Sequence, residues 1–315
     1  MKLTIVYDPK CPKLTPEAYS QSYRDMFLAL CDRFETNHIT TDCSSEDIDA
    51  DVIVFFDIHS SHHIKIDGIE NHKAVKYEYF NDPWQGEFKG KYNDGTVVYK
   101  LGSKERSKRA LLRGINYIIC PYTNLYYRFI DIHLPDDMLV WFPIAPDIKR
   151  FKSRMTILSD RIPSVLLNGH TWPGVSGFKP YNFRRWAYKS DICEAVEHGI
   201  TGSAVVGETY PEYLSRYAGS AAFCDTHICP KYSEIPLAGC VCFAQYQYDY
   251  EKMGFKDGES CFYVTKKNFK DTINAFKHDV TQYQSVADAG RKLVENNWTS
   301  KHFADFIYNH AMEHK

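Results

Sequence analysis

The sequence predicts an α/β protein of two domains, each a parallel sheet flanked by helices. Three observations predict it. Short, continuous apolar runs alternate with segments of helical period along the chain. The 315 residues suffice for two domains of about 150 residues each. No long repeat, coiled coil or low-complexity tract breaks the alternation.

In the first half, residues 3–7 read as a strand. A helix is expected from Pro16 to about Phe34, because Tyr19, Tyr23, Phe27 and Leu30 recur at helical spacing. Thr15 suits its N-cap and Pro16 its first position. Residues 52–56 are uniformly apolar, as a strand buried on both faces should be. Residues 74–80 and 117–120 read as further strands, and residues 139–143 close this half. The charged stretch from Pro146 to Pro163 is the expected interdomain connection.

A second series follows. Residues 164–167 form a strand that ends at Asn168, and Tyr181 to about His198 reads as a helix. Strands are expected at 203–206, 221–224 and 241–244. Helices are expected at 211–217, with Pro211 near the start, and at 232–238, 269–276, 283–296 and 300–314.

Composition narrows the function. The net charge of −2 provides no global field to hold nucleic acid, so no nucleic-acid partner is expected. One local run is basic: Lys104, Arg106, Lys108, Arg109 and Arg113. It reads either as a solvated helix face or as a patch for anionic lipid or an anionic acceptor. The first apolar run is too short for a secretion signal or a membrane span, which points to a cytoplasmic protein, with peripheral membrane contact through the basic run as the variant. The 10 cysteines are then reduced thiols rather than a disulfide framework. Cys224, Cys229, Cys240 and Cys242 could be read as zinc ligands, but Cys240 and Cys242 sit in an apolar run where Cys acts as a small hydrophobe, so no metal site is expected. Aromatics are abundant, with 23 Tyr and 19 Phe, and serve either core packing or stacking on sugar rings.

In open α/β sheets ligands bind beyond the carboxyl ends of strands, where helix N-termini suit a diphosphate. Three loops qualify. The first holds Gly169, His170, Gly174 and Gly177, then Tyr181, Asn182, Phe183 and Arg184. Its glycines let backbone approach a ligand, and Arg184 offers paired donors to phosphate oxygens, or is a surface arginine beside a loop. The second runs from Lys231 through Tyr232 and Glu234 to Gly239. Glu234 could accept hydrogen bonds from a ribose diol or merely complement a helix start, and Lys231 could neutralise phosphate. The third, Met253 to Gly258, is Gly-rich and also reads as a plain turn.

These segments, in order, resemble a family. Lys231-Tyr232-Ser233-Glu234 through Ala238-Gly239 is similar to the K-Y-x-E-[IA]-x-x-A-G pattern of GT-B-fold glycosyltransferases of the group-1 and spore-maturation type, found in bacteria and large viruses. Asn168-Gly169 followed by Tyr181-Asn182-Phe183-Arg184 resembles their G…Y-P-x-R element, with Asn182 in place of Pro. Gly254-Phe255 to Gly258 resembles their GF-x-x-G element. Ala287 to Arg291 with Asn297-Trp298-Thr299 resembles the terminal A-x-x-G-R…H-T element, with Trp298 in the His place. Phe142 to Asp147 resembles the strand that ends the N-terminal domain.

The resemblance implies two Rossmann-like domains facing across a cleft. An acceptor domain would span 1–150, a nucleotide-sugar donor domain 151–298, and a helix at 299–315 would return to the first. It implies a metal-independent glycosyltransferase, hexosyl or pentosyl, with no cofactor beyond its donor, a nucleoside-diphosphate sugar, and a glycan or other hydroxyl acceptor. Glu234 would bind ribose, Arg184 and Lys231 the diphosphate, and Gly169, His170, Tyr232 and Gly239 would complete the donor site. Many retaining members carry a second acid eight residues before this Glu. Thr226 stands there, beside Asp225, so the stereochemistry stays open.

The first half matches less. Asp57 and His59 follow the 52–56 strand, and Asp82 follows the next, each placed to take an acceptor proton. His62 and His63 lie close by, and Trp84 could line the acceptor cleft. Two other classes compete. A non-catalytic sugar- or nucleotide-binding module would show no turnover. A metal-dependent GT-A-type transferase needs D-x-D after a strand, and Asp49-Ala50-Asp51 precedes one.

Overall fold

The computed structural model describes the chain except residues 12, 17, 19, 57–63, 82–87, 92–96, 101, 130–133, 152–156, 172–173, 175–177 and 197–206. Two compact units result. The first comprises Met1–Ala18, Tyr23–Pro143 and Lys301–Lys315, the second Tyr19–Ser22 and Ile144–Ser300. The sequence-based connection at 146–163 therefore falls inside the second unit, whose long segment begins at Ile144.

The first unit contains β1 (Lys2–Val6), β2 (Glu35–Ile39), β3 (Cys43–Ser44), β4 (Val52–Phe55), β5 (Ile66–Asp67), β6 (Val75–Tyr79), β7 (Phe88–Lys91), β8 (Val97–Lys100), β9 (Tyr117–Cys120) and β10 (Leu139–Trp141). Its main sheet is parallel throughout, in the order β10-β9-β6-β4-β1-β2. Every residue of β4 is buried, the reason its sequence lacks alternation, and β6 is buried throughout as well, with Lys76 and Glu78 between its apolar residues. Edge strand β2 is polar and largely exposed, so it carries no apolar run and escapes a reading based on one.

Helix α1 (Ser22–Arg33) starts later than the sequence suggests. The Ala18 N–H instead returns to the Thr15 carbonyl, closing a turn in which Pro16 takes the second position that its fixed φ favours. Helices α2 (Ser103–Leu112) and α3 (Thr123–Phe129) follow. Asp49 pairs with the Lys2 ammonium, while Asp51 accepts the Lys2 N–H at 2.9 Å and pairs with Lys315 at 2.5 Å. Both acids of the D-x-D sequence are thus engaged by lysines of this unit.

The second unit contains β11 (Ile162–Asn168), β12 (Glu194–Val196), β13 (Tyr217–Ala222), β14 (Val241–Ala244) and β15 (Phe262–Tyr263), parallel and ordered β12-β11-β13-β14-β15. Its helices are α4 (Asn182–Ala187), α5 (Tyr210–Ser215), α6 (Lys231–Leu237), α7 (Tyr248–Lys252), α8 (Phe269–His278) and α9 (Gln284–Asn297). Val165, Leu167, Phe223, Phe243, Ile273 and Phe276 anchor the core. Burying each such side chain contributes about 1.5–3 kcal/mol.

Two expectations change here. The helix from Tyr181 to His198 is only α4. Lys189 and Ser190 close on the Trp186 and Ala187 carbonyls, and the chain then enters β12, with Glu194 paired to Leu166. Strand β13 begins at Tyr217 rather than 221, and its residues Ala218, Gly219 and Ser220 are too small to form an apolar run. At Gly219 a Cβ would sit 2.8 Å from the Phe243 ring and 3.0 Å from that of Phe276, so the large residues lie on the neighbours. The strand expected at 203–206 lies outside the described residues.

Helix α10 (Ser300–His314) contributes all but its first residue to the first unit. Arg33 bonds Asp305 at 2.7 Å, the Tyr77 hydroxyl meets His310 Nδ1 at 2.8 Å, and Phe142 packs on Phe303. Among the described residues, no helix is long and apolar enough to cross a membrane.

Candidate functional site

The second unit gathers charge at the carboxyl end of β11. Asn168 ends the strand, and Gly169 turns away from it at φ 115°, a conformation only glycine adopts freely. The Tyr188 hydroxyl pins the turn, lying 3.0 Å from the Gly169 carbonyl and 3.1 Å from that of Val196 in β12. A Cβ at Gly169 would lie 3.0 Å from Arg184 Nη1 and 3.1 Å from Lys231 Nζ. Two cations from different helices therefore converge on one bare stretch of backbone.

Both are nearly buried, Arg184 at 3% exposure and Lys231 at 5%. Arg184 Nη1 donates to the His170 carbonyl at 2.9 Å, and its guanidinium lies 4.2 Å over the Tyr181 ring. Lys231 Nζ donates to the backbone and side-chain oxygens of Asn168. Burial first, and then the adjacent Arg184, push the Lys231 ammonium well below the ordinary lysine range. Burial also pushes the neighbouring Cys229 thiol up to about 11. With α4 and α6 only six and seven residues long, side chains rather than helix ends supply the positive charge.

Glu234 lies one turn beyond Lys231 on α6 and is 3% exposed. Its Oε1 accepts the Ser22 hydroxyl at 2.7 Å and the Ser20 hydroxyl at 3.3 Å, with Arg150 Nη2 at 3.9 Å. Ser20 and Ser22 belong to the short Tyr19–Ser22 segment of this unit.

The other donor-site candidates occupy different surroundings. Tyr232 turns into the core, fully buried: its hydroxyl donates to the Gln245 carbonyl and its ring meets Tyr250 edge-on. These contacts hold α6 in place. Gly239 sits just past the far end of α6 at φ 72°, where its N–H closes on the Pro236 carbonyl and a Cβ would lie 2.9 Å from Arg161 Nη2. It is a helix stop. His170 contributes its backbone carbonyl to the Arg184 contact. The spacing from Glu234 to Gly239 thus covers the second half of α6 and its stop.

Asp225, beside Thr226, accepts the Phe183 N–H at 3.0 Å and the Gln245 amide at 3.0 Å. It tethers the start of α4, and with it Arg184. Gly290 lets α9 approach α6, since a Cβ there would lie 2.5 Å from the Ser260 carbonyl and 3.5 Å from Pro236. Trp298 donates to the Met253 carbonyl at 2.9 Å, fastening the Gly-rich turn at Gly254. These two terminal motif elements are packing devices.

Asp57, His59 and Asp82, with His62, His63 and Trp84, lie outside the described residues. The basic run does not form a cationic face. Arg106 is buried and donates to the Asn81 carbonyl at 2.7 Å. Arg109 and Arg113 turn inward to Glu78, at 2.9 and 3.4 Å. Lys104 and Lys108 alone are exposed. Spacing explains it: positions 106, 109 and 113 share one helix face, and that face covers the sheet. Among the described residues, no group of three or more His, Cys, Asp or Glu could hold a metal ion.

Sequence reasoning missed Ser20, Ser22, Arg150 and Tyr188. Tyr188 was legible in principle, one turn beyond Arg184. Nothing in the sequence joins Ser22 to an acid 212 positions away.

No family model matches the chain, and no curated protein matches it in sequence. Solved structures do match in shape. An alpha-glucosyltransferase in complex with UDP-glucose and DNA containing an abasic site is 10% identical, with 99% of each chain covered and a TM-score of 0.58. A glycosyltransferase from Rickettsia africae ESF-5 is 9% identical, over 99% of this chain and 98% of that one, with a TM-score of 0.58. S. aureus TarM, bound to Fondaparinux, alpha-GlcNAc-glycerol and UDP, is 10% identical over 82% of this chain, which spans only 54% of it, with a TM-score of 0.52. At such identities the likeness speaks for architecture alone: the chain has the α/β, parallel-sheet fold of GT-B glycosyltransferases.

Proposed function

We propose that this chain is a glycosyltransferase that moves a sugar from a nucleoside-diphosphate donor to a hydroxyl of a glycan or similar acceptor. One observation carries the reading: Arg184 Nη1 and Lys231 Nζ converge on the bare Gly169 backbone, one turn of α6 from the Glu234 carboxylate. Transfer breaks the bond between the anomeric carbon and a diphosphate oxygen and forms one to the acceptor oxygen. Negative charge grows on the departing diphosphate, and two desolvated cations stabilise it most where it is most concentrated. Glu234 accepts hydrogen bonds from the ribose diol. The acceptor hydroxyl gives its proton to a base, for which Asp57, His59 and Asp82 are our candidates. The reading invokes no resident cofactor and no metal.

UDP or UDP-glucose occupies two of the similar structures named above, so uridine donors are the first to assay. The test is release of nucleoside diphosphate from UDP-, GDP- and dTDP-sugars, with and without chelator. Arg184→Ala should lower kcat/KM by about 10²–10³. Glu234→Ala should weaken nucleotide binding. Binding without turnover would favour a non-catalytic module, and chelator-sensitive turnover a metal-dependent transferase. No nucleotide binding at all would end the reading.

A further inference from the structure

The two oxygens of Glu234 are not equivalent. Oε1 accepts Ser22 Oγ at 2.7 Å and Ser20 Oγ at 3.3 Å, while Oε2 accepts no hydrogen bond from any described residue. The serines are themselves ordered. Ser22 is fully buried, and its N–H donates to Ser20 Oγ at 3.4 Å. A carboxylate gripped through one oxygen loses rotation about its last torsion and presents the other in a fixed direction. A diol needs that, because both its hydroxyls must find the acceptor at once. Arg150 Nη2, 3.9 Å from Oε1, stands on the same side of the carboxylate as the serines.

We propose that Ser22, assisted by Ser20, is a positioning residue for the donor: it holds Glu234 Oε1 so that Oε2 meets the ribose hydroxyls. The inference deepens the donor-site reading above and rests on it. Ser22 acts through Glu234 and touches no ligand. Its contribution should therefore exist only where Glu234 has a diol to bind.

The test crosses protein and ligand deletions. Calorimetry measures binding of the tightest of UDP, GDP and ADP, and of its 2′,3′-dideoxy counterpart, to the wild-type chain, Ser22→Ala, Ser22→Thr and Glu234→Ala. Ser22→Ala should weaken the ribonucleotide about tenfold, the worth of a hydrogen bond to a charged group. It should leave the dideoxynucleotide within about twofold, and Ser22→Thr should restore the loss. Equal weakening of both ligands, or no weakening of either, overturns the inference, since a merely structural serine cannot sense the ribose hydroxyls. If Glu234→Ala binds both ligands like the wild type, or no diphosphate binds the wild-type chain, the donor-site reading falls first and the inference with it. Melting curves identify a variant that fails to fold. Ser20→Ala then replaces Ser22→Ala in the cycle, with an expected loss of about threefold on its longer bond.

Discussion

Each unit buries a cluster of charge, and the two clusters are resolved differently. In the first, Glu78 in the centre of the sheet is fully buried and receives Arg109 and Arg113 from α2. Opposite charges meet there, and the cluster fastens a helix to a sheet. In the second, the bonds drawn by Lys231 end on Asn168 oxygens and that of Arg184 Nη1 on the His170 carbonyl, all neutral acceptors. Two like charges stand side by side around a glycine. Burial and the adjacent Arg184 both work against the charge on Lys231. The first cluster serves the fold, and the second is the one we propose for the donor diphosphate.

The sharpest way to break this comparison is to remove one charge from each. Glu78→Ala leaves two guanidinium groups inside without their carboxylate and should lower unfolding free energy by about 3–5 kcal/mol, measured in denaturant. Lys231→Met should change stability by less than about 1 kcal/mol, because it relieves a desolvated charge, yet should lower donor kcat/KM by about 10²–10³. A large stability loss in the second variant would place the two clusters in one class.

Titration sharpens the contrast. The folded pKa of Lys231 is depressed, so the unfolded chain binds more protons between that value and 10.5. Stability of the ligand-free protein therefore rises with pH across that window. A bound diphosphate favours the ammonium, so nucleotide affinity falls as pH rises through it, by up to about tenfold per unit. Calorimetry in buffers of different ionisation enthalpy should detect proton uptake on binding, and Lys231→Met should abolish it. The smallest effect is expected at Gly239→Ala, where the left-handed φ costs about 1–2 kcal/mol on unfolding and nucleotide affinity stays within about twofold.

Much of the sheet architecture was legible because central parallel strands are covered on both faces. Residues 52–55 and 241–244 are apolar without interruption for that reason. Edge strand β2 and the small-residue half of β13 were not, since neither needs large apolar side chains of its own. In the site, Arg184, Lys231 and Glu234 stood out by residue type and order. Tyr232 and Gly239 shared their motif but not their surroundings: one faces the core and the other ends the helix. A motif records which residues keep company along the chain, and it does not separate ligand contact from scaffold.

The sequence by itself determined the alternation of strands and helices, and the chemistry concentrated between 168 and 239. Periodicity and residue type are local properties, readable one segment at a time. Only the tertiary structure decided that Arg106, Arg109 and Arg113 face inward, that two cations share the Gly169 backbone, and that serines from the start of the chain grip Glu234. Those are contacts between segments far apart in sequence. Burial and Coulomb energy depend on distance in space, which no spacing along the chain encodes.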